Sequence, residues 1–390
     1  MSEYAQRDEP VVGQTSIGPV VLLTAALLGF GIVMIFSTSG VLADRFGSPY
    51  FFLRRQAMWI ALGSAGMLFA SLFDYHNYRS LSLLVLAAVF VGLIAVLVPG
   101  LGTRFNGAKR WIRFAGFGFQ PSEVAKLGLV VYMAHFLSRH QERIREFFHG
   151  FVPPVAILMA ALMLIVVEPD LGTAALIGVV IFSMLFVAGI RIMHIAPITL
   201  VAGPVGLLVL LTRYAYMRRR FLAFLDPDID PLGAGYHIRQ SLIAIGSGGI
   251  LGVGLGSSQQ KLYYLSEAYT DFIYSVICEE LGFVGAMVVV ALFVALLYHG
   301  IRICNSAPDL YGTLLAFGIV MLIGLQAAVH IAVVTASVPT KGISLPLVSF
   351  GGSNLCLTMF ALGILVNIAR HEPGESPGVI SYESEDGYLP

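Results

Sequence analysis

The feature that most constrains this chain is a series of apolar windows, each roughly 17 to 25 residues long, that follow one another along most of its length. A window of that length matches the thickness of the hydrocarbon layer of a membrane. The chain is 57% hydrophobic and 12% charged, with a mean hydropathy of +0.84. The sequence therefore predicts an all-α polytopic integral membrane protein. About ten transmembrane helices are expected, near residues 17–37, 56–73, 80–98, 123–138, 152–167, 171–189, 193–212, 272–299, 311–336 and 352–369.

The polar segments divide this ten-helix domain, residues 17–370, from two tails. Residues 1–16 and the acidic residues 371–390 are predicted to be disordered. An even number of spans places both termini on one side. Two long connections, 99–123 between helices 3 and 4 and 213–271 between helices 7 and 8, then lie on the opposite face. The Pro- and Gly-rich stretch "VPTKGISLPLVSFGGSN", between helices 9 and 10, is typical of a re-entrant segment.

Charge is distributed unevenly between the two faces, although the formal net charge of +0 points to no nucleic-acid partner. This topology assigns 15 of the 23 Lys and Arg residues to the face opposite the termini. The raw count would put that face in the cytoplasm, but long loops weigh little in the positive-inside rule, so the orientation stays open. Either way, the chain carries a basic vestibule suited to an anionic substrate at the membrane surface.

Three motifs admit a structural and a functional interpretation. The glycines of "SGGILGVGLGSSQQK", which ends at Lys261, favour close packing over a phosphate cradle, because no P-loop ending follows. In "NGAKRWIRF", Lys109 and Arg110 alternate with apolar side chains, as in an interfacial anchor or a substrate contact. In "EPDLGTA", Glu168 and Asp170 occupy a short turn, where helix capping and a functional role are equally compatible.

Charged residues also occur within predicted spans. Glu123 and Lys126 are three residues apart at the start of the fourth helix, so a paired structural role is the default. The three cysteines show no metal-ligand spacing and no disulfide framework, so the sequence identifies no metal site.

The stretch "SEAYTDFIYSVICEELG" places four carboxylates at the mouth of the eighth span: Glu267, Asp271, Glu279 and Glu280. We expect Thr270 and Asp271 to begin the helix, where its dipole attracts negative charge. On a regular helix Glu279 lies about 80° and Glu280 about 180° from Asp271. The four carboxylates therefore do not share one face, and Glu279 and Glu280 are expected to serve helix packing.

Together these segments resemble the SEDS family of bacterial cell-wall proteins. The resemblance rests on "GAKRWI" with "FQPSEVAKL", "EPDLGTA", "FLDPDIDP", "GYHIRQSLIAIGSGGILGVGLGSSQQKLYYLSEAYTDFIYSVICEELGF" and "PTKGISLPLVSFGGSN", in family order. "GFGIVMIFSTSG", "FFLRRQ" and "QQKLYYL" are more similar to the FtsW branch than to the RodA branch.

The resemblance implies a peptidoglycan glycosyltransferase of the bacterial cytoplasmic membrane, with cytoplasmic termini, an extracytoplasmic site and a role in septal cell-wall synthesis. It would polymerise lipid II into glycan strands and release undecaprenyl diphosphate. Implied partners are lipid II, the nascent glycan strand, a class B penicillin-binding protein and divisome proteins. No cofactor is expected, apart from a divalent cation, Mg²⁺ or Mn²⁺, whose involvement the resemblance leaves open.

The same resemblance assigns roles to residues. Asp271 of "TDFI" corresponds to the family's essential aspartate and is predicted to be the general base, or else the organiser of the reacting groups. The predicted substrate contacts are Lys109, Arg110, Arg239, Lys261, Lys341, Glu267 and Ser349. The predicted supports of the cavity are Glu123, Lys126, Glu168 and Asp170. Two alternatives stay open: a lipid II flippase, and a non-catalytic scaffold for a penicillin-binding protein.

Overall fold

The structure is a computed structural model that describes residues 16–39, 50–105, 108–114, 117–231, 233–262, 264–265 and 267–371. The predicted tails lie outside this part of the chain, apart from Ser16 and His371, so their disorder stays a prediction. The helices are α1 (Ile17–Ser39), α2 (Phe51–Leu72), α3 (Tyr75–Leu97), α4 (Pro121–Arg139), α5 (Val152–Val167), α6 (Leu171–Val187), α7 (Ile192–Pro197), α8 (Gly203–Arg213), α9 (Ala215–Leu225), α10 (Ala234–Gly248), α11 (Ile273–Ser306), α12 (Leu310–Val334) and α13 (Gly352–Arg370).

The predicted helical membrane fold is confirmed, because each of the ten apolar windows coincides with a helix or a run of helical segments. Six helical segments in the described residues are long and apolar enough to cross a membrane: Ile17–Ser39, Tyr75–Leu97, Phe147–Val167, Ile273–Ser306, Leu310–Val334 and Gly352–Arg370. The seventh window is divided among α7, a π-helical turn at Ile198–Ala202 and α8. The count of ten spans stays a prediction.

Helices α13 and α12 are the most buried of the candidate spans. Within the protein, 78% of the apolar window of α13 and 56% of that of α12 are buried, against 22% for α3, which therefore lies at the periphery. Helix α12 packs against α4, α6 and α11, while α13 packs along α2. Large apolar side chains such as Leu83, Leu84 and Val91 stay exposed on α3. An exposed apolar face of this kind fits contact with lipid.

The connection between α3 and α4 contains a small antiparallel sheet that the sequence did not reveal. Strands β1 (Gly102–Phe105), β2 (Ala108–Phe114) and β3 (Phe117–Phe119) pair in that order, with Gly102 opposite Ile112 and Ile112 opposite Phe119. The second long connection is also ordered in part, because it contains α9 and α10. These two connections, the turn between α5 and α6 and the segment before α13 supply the charged side chains of the candidate site.

The start of α11 differs from the prediction. The helix begins at Ile273, with Phe272 as its N-cap, so the expectation that Thr270 and Asp271 begin it is wrong. Residues 267–272 form a turn instead. Further along, Gly282 has φ +65° and interrupts the helix. A side chain there would overlap the backbone of Ile250 and Gly252, so glycine is what lets the loop pack against the kink.

Candidate active site

A cavity of about 420 Å³ opens between α6, α8, α9, α12 and the segment that precedes α13. Its walls are mainly apolar, with Leu176 and Val179 from α6, Leu211 from α8 and Phe221 from α9. A second group of lining residues is charged: Arg110, Asp170, Arg220 and Lys341. A cavity that combines cations with long apolar walls is suited to an amphiphile with an anionic headgroup.

Asp271 lies directly beside this cavity. A methyl group placed on Gly342, one of the lining residues, would come within 2.8 Å of Asp271 Oδ2. The preceding turn fixes the aspartate, because the backbone N–H groups of Thr270 and Asp271 both donate to the Glu267 carbonyl. Glu267 has φ +56°, a left-handed conformation that costs energy in any residue other than glycine. The fold therefore holds a strained turn at this point.

Ser349 anchors the turn to the segment before α13. Its hydroxyl donates to the Thr270 carbonyl (2.7 Å) and accepts from the backbone N–H of Leu345 (2.8 Å). Ser349 is 3% exposed, so these two hydrogen bonds satisfy a buried hydroxyl group. Ser349 therefore links the segment before α13 to the turn that carries Asp271, and its contact with substrate stays a prediction.

The surroundings of Asp271 raise the pKa of its carboxyl to about 7. Burial is the main cause, because the surrounding protein disfavours the charged form, and the nearby Glu267 adds to the rise. Arg220, a hydrogen bond from Thr270 and Arg110 act in the opposite direction. A carboxyl with a pKa near neutrality can accept a proton and return it under physiological conditions.

Two cations, Lys341 and Arg220, line the cavity beside this carboxyl. Burial lowers the pKa of Lys341; Asp170 acts against this shift and Arg220 adds to it. Arg220 also donates from Nη1 to the Thr340 carbonyl (3.2 Å), which ties α9 to the segment before α13. Arg220 was not among the residues predicted from the sequence. The available signal was the run Arg218 to Arg220 in an otherwise apolar helix, of which Arg220 lines the cavity together with Met217 and Phe221.

The turn between α5 and α6 supplies the other polar groups. Arg110 reaches from β2 and donates to the carbonyls of Glu168 (3.1 Å) and Pro169. Asp170 caps α6 by accepting from the Thr173 hydroxyl (2.9 Å) and backbone N–H (3.3 Å), so helix capping is one of its roles. It also lines the cavity, which shows that capping and a place at the site are compatible.

Glu168 is fully buried, and neither carboxyl oxygen has a hydrogen-bond partner among the described residues. Burial, together with repulsion by Asp170, raises its pKa to about 8, and Arg110 acts against this shift. The side chain is therefore mostly a neutral acid at pH 7.

A buried polar network holds the segment before α13, which forms one wall of the cavity. Lys126 pairs with Glu123 (2.7 Å) and donates to Gln326 Oε1 (2.8 Å). Gln326 in turn donates to the Ser344 carbonyl (2.9 Å), and His330 Nδ1 donates to the carbonyl of Ile343 (2.7 Å). The predicted pairing of Glu123 with Lys126 is confirmed. Through the hydrogen bond from Lys126 to Gln326, this ion pair is connected to the backbone of the segment that carries Lys341.

Comparison with known proteins matches residues 19–374 to a family model described as "Cell cycle protein", which groups FtsW, RodA and SpoVE. The chain belongs to the SEDS family. It is 44% identical to a "Probable peptidoglycan glycosyltransferase FtsW" of Geobacter metallireducens, over 91% of this chain and 95% of that protein. It is 42% identical to "Stage V sporulation protein E" of Bacillus subtilis, over 90% and 96% of the two chains.

Solved structures of SEDS proteins share the fold. A chain from "Structural coordination of polymerization and crosslinking by a peptidoglycan synthase complex" has a TM-score of 0.72 and 28% identity, covering 90% of this chain and 96% of that one. The rod shape determining protein RodA of Thermus thermophilus has a TM-score of 0.66 and 27% identity, covering 90% and 95%. The predicted family, with the FtsW-like branch, is confirmed.

Two predicted substrate contacts of this SEDS protein lie elsewhere. Lys261 is 8% exposed, and its ammonium group pairs with Glu280 (2.6 Å) and donates to the Ser37 hydroxyl (3.0 Å). Its charge is therefore already neutralised inside the protein, and its contact with substrate stays a prediction. Arg239 is on α10, exposed and paired with Asp228. It is not among the residues that line the cavity.

Glu279 and Glu280 hold the loop after α10 against α11, as predicted for packing residues. Glu279 accepts from the Ser258 hydroxyl and the backbone N–H of Gln259 (2.9 Å), while Glu280 accepts from Lys261. The glycine-rich stretch contacts this same part of α11, which favours its packing interpretation.

Lys109 neighbours Arg110 on β2, but it does not line the cavity. The described residues also place no group of three metal-ligand side chains around Asp271. A divalent cation at this site is therefore not assigned to a ligand set.

Proposed function

We propose that this SEDS protein is a peptidoglycan glycosyltransferase that polymerises lipid II at the outer face of the cytoplasmic membrane. The observation that carries the proposal is the position of Asp271 beside a cavity with three cations and apolar walls. A lipid-linked saccharide diphosphate has the matching parts: a long apolar chain, two phosphates and a sugar. Two curated FtsW relatives, 44% and 43% identical, are named for the same activity.

The reaction needs a base and a place for the leaving group. A sugar hydroxyl of one lipid-linked disaccharide attacks the anomeric carbon of another; the new glycosidic bond forms as the bond to the diphosphate breaks. Asp271 takes the proton of the attacking hydroxyl. A carboxyl with a pKa of about 7 is partly ionised at neutral pH and so can act as that base.

The three cations serve the leaving diphosphate. Arg110, Arg220 and Lys341 line the cavity close to Asp271, so the negative charge that develops on the departing oxygen is met by fixed positive charge. Arg110 and Arg220 are held by backbone carbonyls, which limits the reorganisation needed during the reaction. Lys341 is on the segment that Gln326 and His330 hold in place.

The apolar walls fit the part of the prenyl chain next to the diphosphate. A cavity of about 420 Å³ is too small for a whole undecaprenyl chain, so most of that chain would lie along lipid-facing surfaces. Glu267 is proposed to keep the pKa of Asp271 high rather than to hold substrate. Because its carbonyl accepts the N–H groups of the turn, it also fixes the aspartate in place.

The cellular setting follows from the family. We propose cytoplasmic termini, an extracytoplasmic cavity and action at the division septum. A class B penicillin-binding protein is the proposed partner, supported by the similarity to a chain of a peptidoglycan synthase complex. Divisome proteins are proposed as further partners.

The proposal is tested by reconstitution. Purified protein with its transpeptidase partner, given fluorescently labelled lipid II, should form glycan chains that resolve as a ladder on a gel and disappear on muramidase treatment. If no polymer forms but labelled lipid II crosses vesicle membranes in a protein-dependent way, the flippase alternative replaces the proposal. If neither occurs while the partner's transpeptidase activity depends on this chain, the scaffold alternative does.

A further inference from the structure

A second cluster of ionisable side chains lies where α13 ends, far from the cavity. Asp74 is the N-cap of α3 and His76 is in its first turn, while His371 follows the last residue of α13. Helix α13 begins next to the Asp271 turn, since Phe350 donates its N–H to the Tyr269 carbonyl. Its 19 residues then extend about 28 Å to this cluster. The two sites are therefore separate.

The ligand atoms of the cluster converge. One donor atom from each of Asp74, His76 and His371 lies within 4.8 Å of the other two. His76 Nδ1 is 2.8 Å and His371 Nε2 is 3.7 Å from the same carboxylate oxygen, Asp74 Oδ1. Asp309, the N-cap of α12, places its Oδ2 4.0 Å from His76 Nε2. Asp309 thus faces the nitrogen of His76 that points away from Asp74, outside the converging group.

From this geometry we propose that Asp74, His76 and His371 bind a divalent transition-metal ion. Zn²⁺ fits this donor set best, because imidazole nitrogen and carboxylate oxygen are its usual ligands beside thiolate, and a water molecule can complete a tetrahedral shell around three protein ligands.

The tautomer of His371 supports metal binding. Its Nδ1 is 2.9 Å from the Asn367 carbonyl, which can only accept, so Nδ1 carries the hydrogen. The neutral ring then presents the Nε2 lone pair to Asp74. A backbone carbonyl that orients a histidine in this way is the usual outer-shell partner of a metal-bound imidazole.

The surroundings make the site both accessible and firm. The side chains of Asp74, His76 and His371 are between 23% and 45% exposed, so an ion can enter from solvent. Asn367 holds both sides of the cluster, since its amide accepts from the Tyr75 N–H (2.8 Å) and donates to the Ser71 carbonyl (3.0 Å). A bound ion would join the end of α13 to the start of α3.

The test is a zinc titration of tag-free, chelator-treated full-length protein in detergent, by isothermal calorimetry with the metal content measured by mass spectrometry. We expect one Zn²⁺ per chain, and Co²⁺ in its place should give the strong visible absorption of a tetrahedral site. His371→Ala and His76→Ala should each weaken binding at least tenfold. His149→Ala is the matched control, because His149 is exposed and pairs only with Glu146 among the described contacts.

Asp74→Asn distinguishes loss of zinc binding from loss of folding, because the amide oxygen can still cap α3 while the charge of the ligand is lost. We expect this variant to keep its elution volume on size exclusion and to lose zinc affinity. Absence of stoichiometric zinc binding in the wild-type protein overturns the proposal. So does binding that His371→Ala, His76→Ala and Asp74→Asn leave equal to that of His149→Ala. Glycan synthesis need not change in any of these variants, so the outcome is independent of the proposed function.

Discussion

Replacing Glu267 by glutamine should shift the pH dependence of glycan synthesis. Burial and the negative charge of Glu267 raise the pKa of Asp271 to about 7. If Asp271 is the general base, only its ionised fraction is active, so the rate should rise with pH through that value. Glu267→Gln removes the like charge but keeps the backbone carbonyl that holds the turn.

The size of the effect follows from the pKa. With a value of about 7, roughly a tenth of the wild-type molecules carry an ionised Asp271 at pH 6, and about nine tenths at pH 8. If the pKa of Asp271 is about one lower in Glu267→Gln, about half of the variant molecules carry an ionised Asp271 at pH 6. The rate at that pH would then be about fivefold higher than in the wild type. Burial, the larger cause, remains, so the pKa should stay above the ordinary value of 3.8.

The assay is the initial rate of lipid II polymerisation at sub-saturating substrate from pH 5.5 to pH 8.5, in buffers of constant ionic strength. Glu142→Gln is the matched control, because it removes an exposed carboxylate from the connection between α4 and α5. We expect Glu142→Gln to follow the wild-type profile and Glu267→Gln to keep activity at lower pH. A wild-type rate that is flat between pH 6 and pH 8 would refute the reasoning. The reasoning would also be refuted if the rate of Glu267→Gln fell towards low pH at the same pH as the wild-type rate.

Three further substitutions test other parts of the site. Gly342→Ala places a methyl group 2.8 Å from Asp271 Oδ2, so we expect the carboxylate to move and kcat to fall at least tenfold with little change in Tm; an unchanged kcat would contradict the proposed contact. Lys341→Gln removes one cation from the cavity, so kcat/KM for lipid II should fall about tenfold to a hundredfold. A kcat/KM equal to that of the wild type would show that Lys341 does not contact the substrate. Glu168 has a pKa of about 8 in the folded state, above its ordinary 4.5. The free energy of unfolding should therefore fall by up to about 1.4 kcal/mol per pH unit as the pH rises from 4.5 to 8. Glu168→Gln should flatten that slope in thermal unfolding followed in detergent, and an identical slope in both proteins would show that Glu168 is not a buried acid.

The helices and one local ion pair were predictable because their signals are local. Apolar windows of membrane length mark the helices wherever they pack. Glu123 and Lys126 are within reach of each other on any helix, so their pairing followed from spacing alone. Family motifs identified Asp271 and the turn that carries Glu168 and Asp170.

What the sequence did not show is which residues distant along the chain become partners. It does not show that Glu280 and Ser37 surround the ammonium group of Lys261. Arg220 was missed because nothing local distinguishes it from the two arginines before it; only the fold turns it towards Thr340 and the cavity.

Backbone detail was also beyond the sequence. The helix was expected to begin at Thr270, since Thr and Asp are common at helix starts, yet Glu267 adopts a left-handed conformation and the turn continues to Phe272. The small sheet between α3 and α4 was not predicted, because its strands are only 4, 7 and 3 residues long. Such short strands carry little periodicity.

The most direct test of the central claim is the polymerisation rate of Asp271→Asn, measured together with lipid II binding, in the presence of the transpeptidase partner. Asparagine keeps the size of the side chain but cannot accept the proton. We expect lipid II affinity to stay within a few-fold of wild type and glycan synthesis to fall by at least about a hundredfold at every pH. Glycan synthesis by Asp271→Asn at the wild-type rate would contradict the assignment of Asp271 as the base.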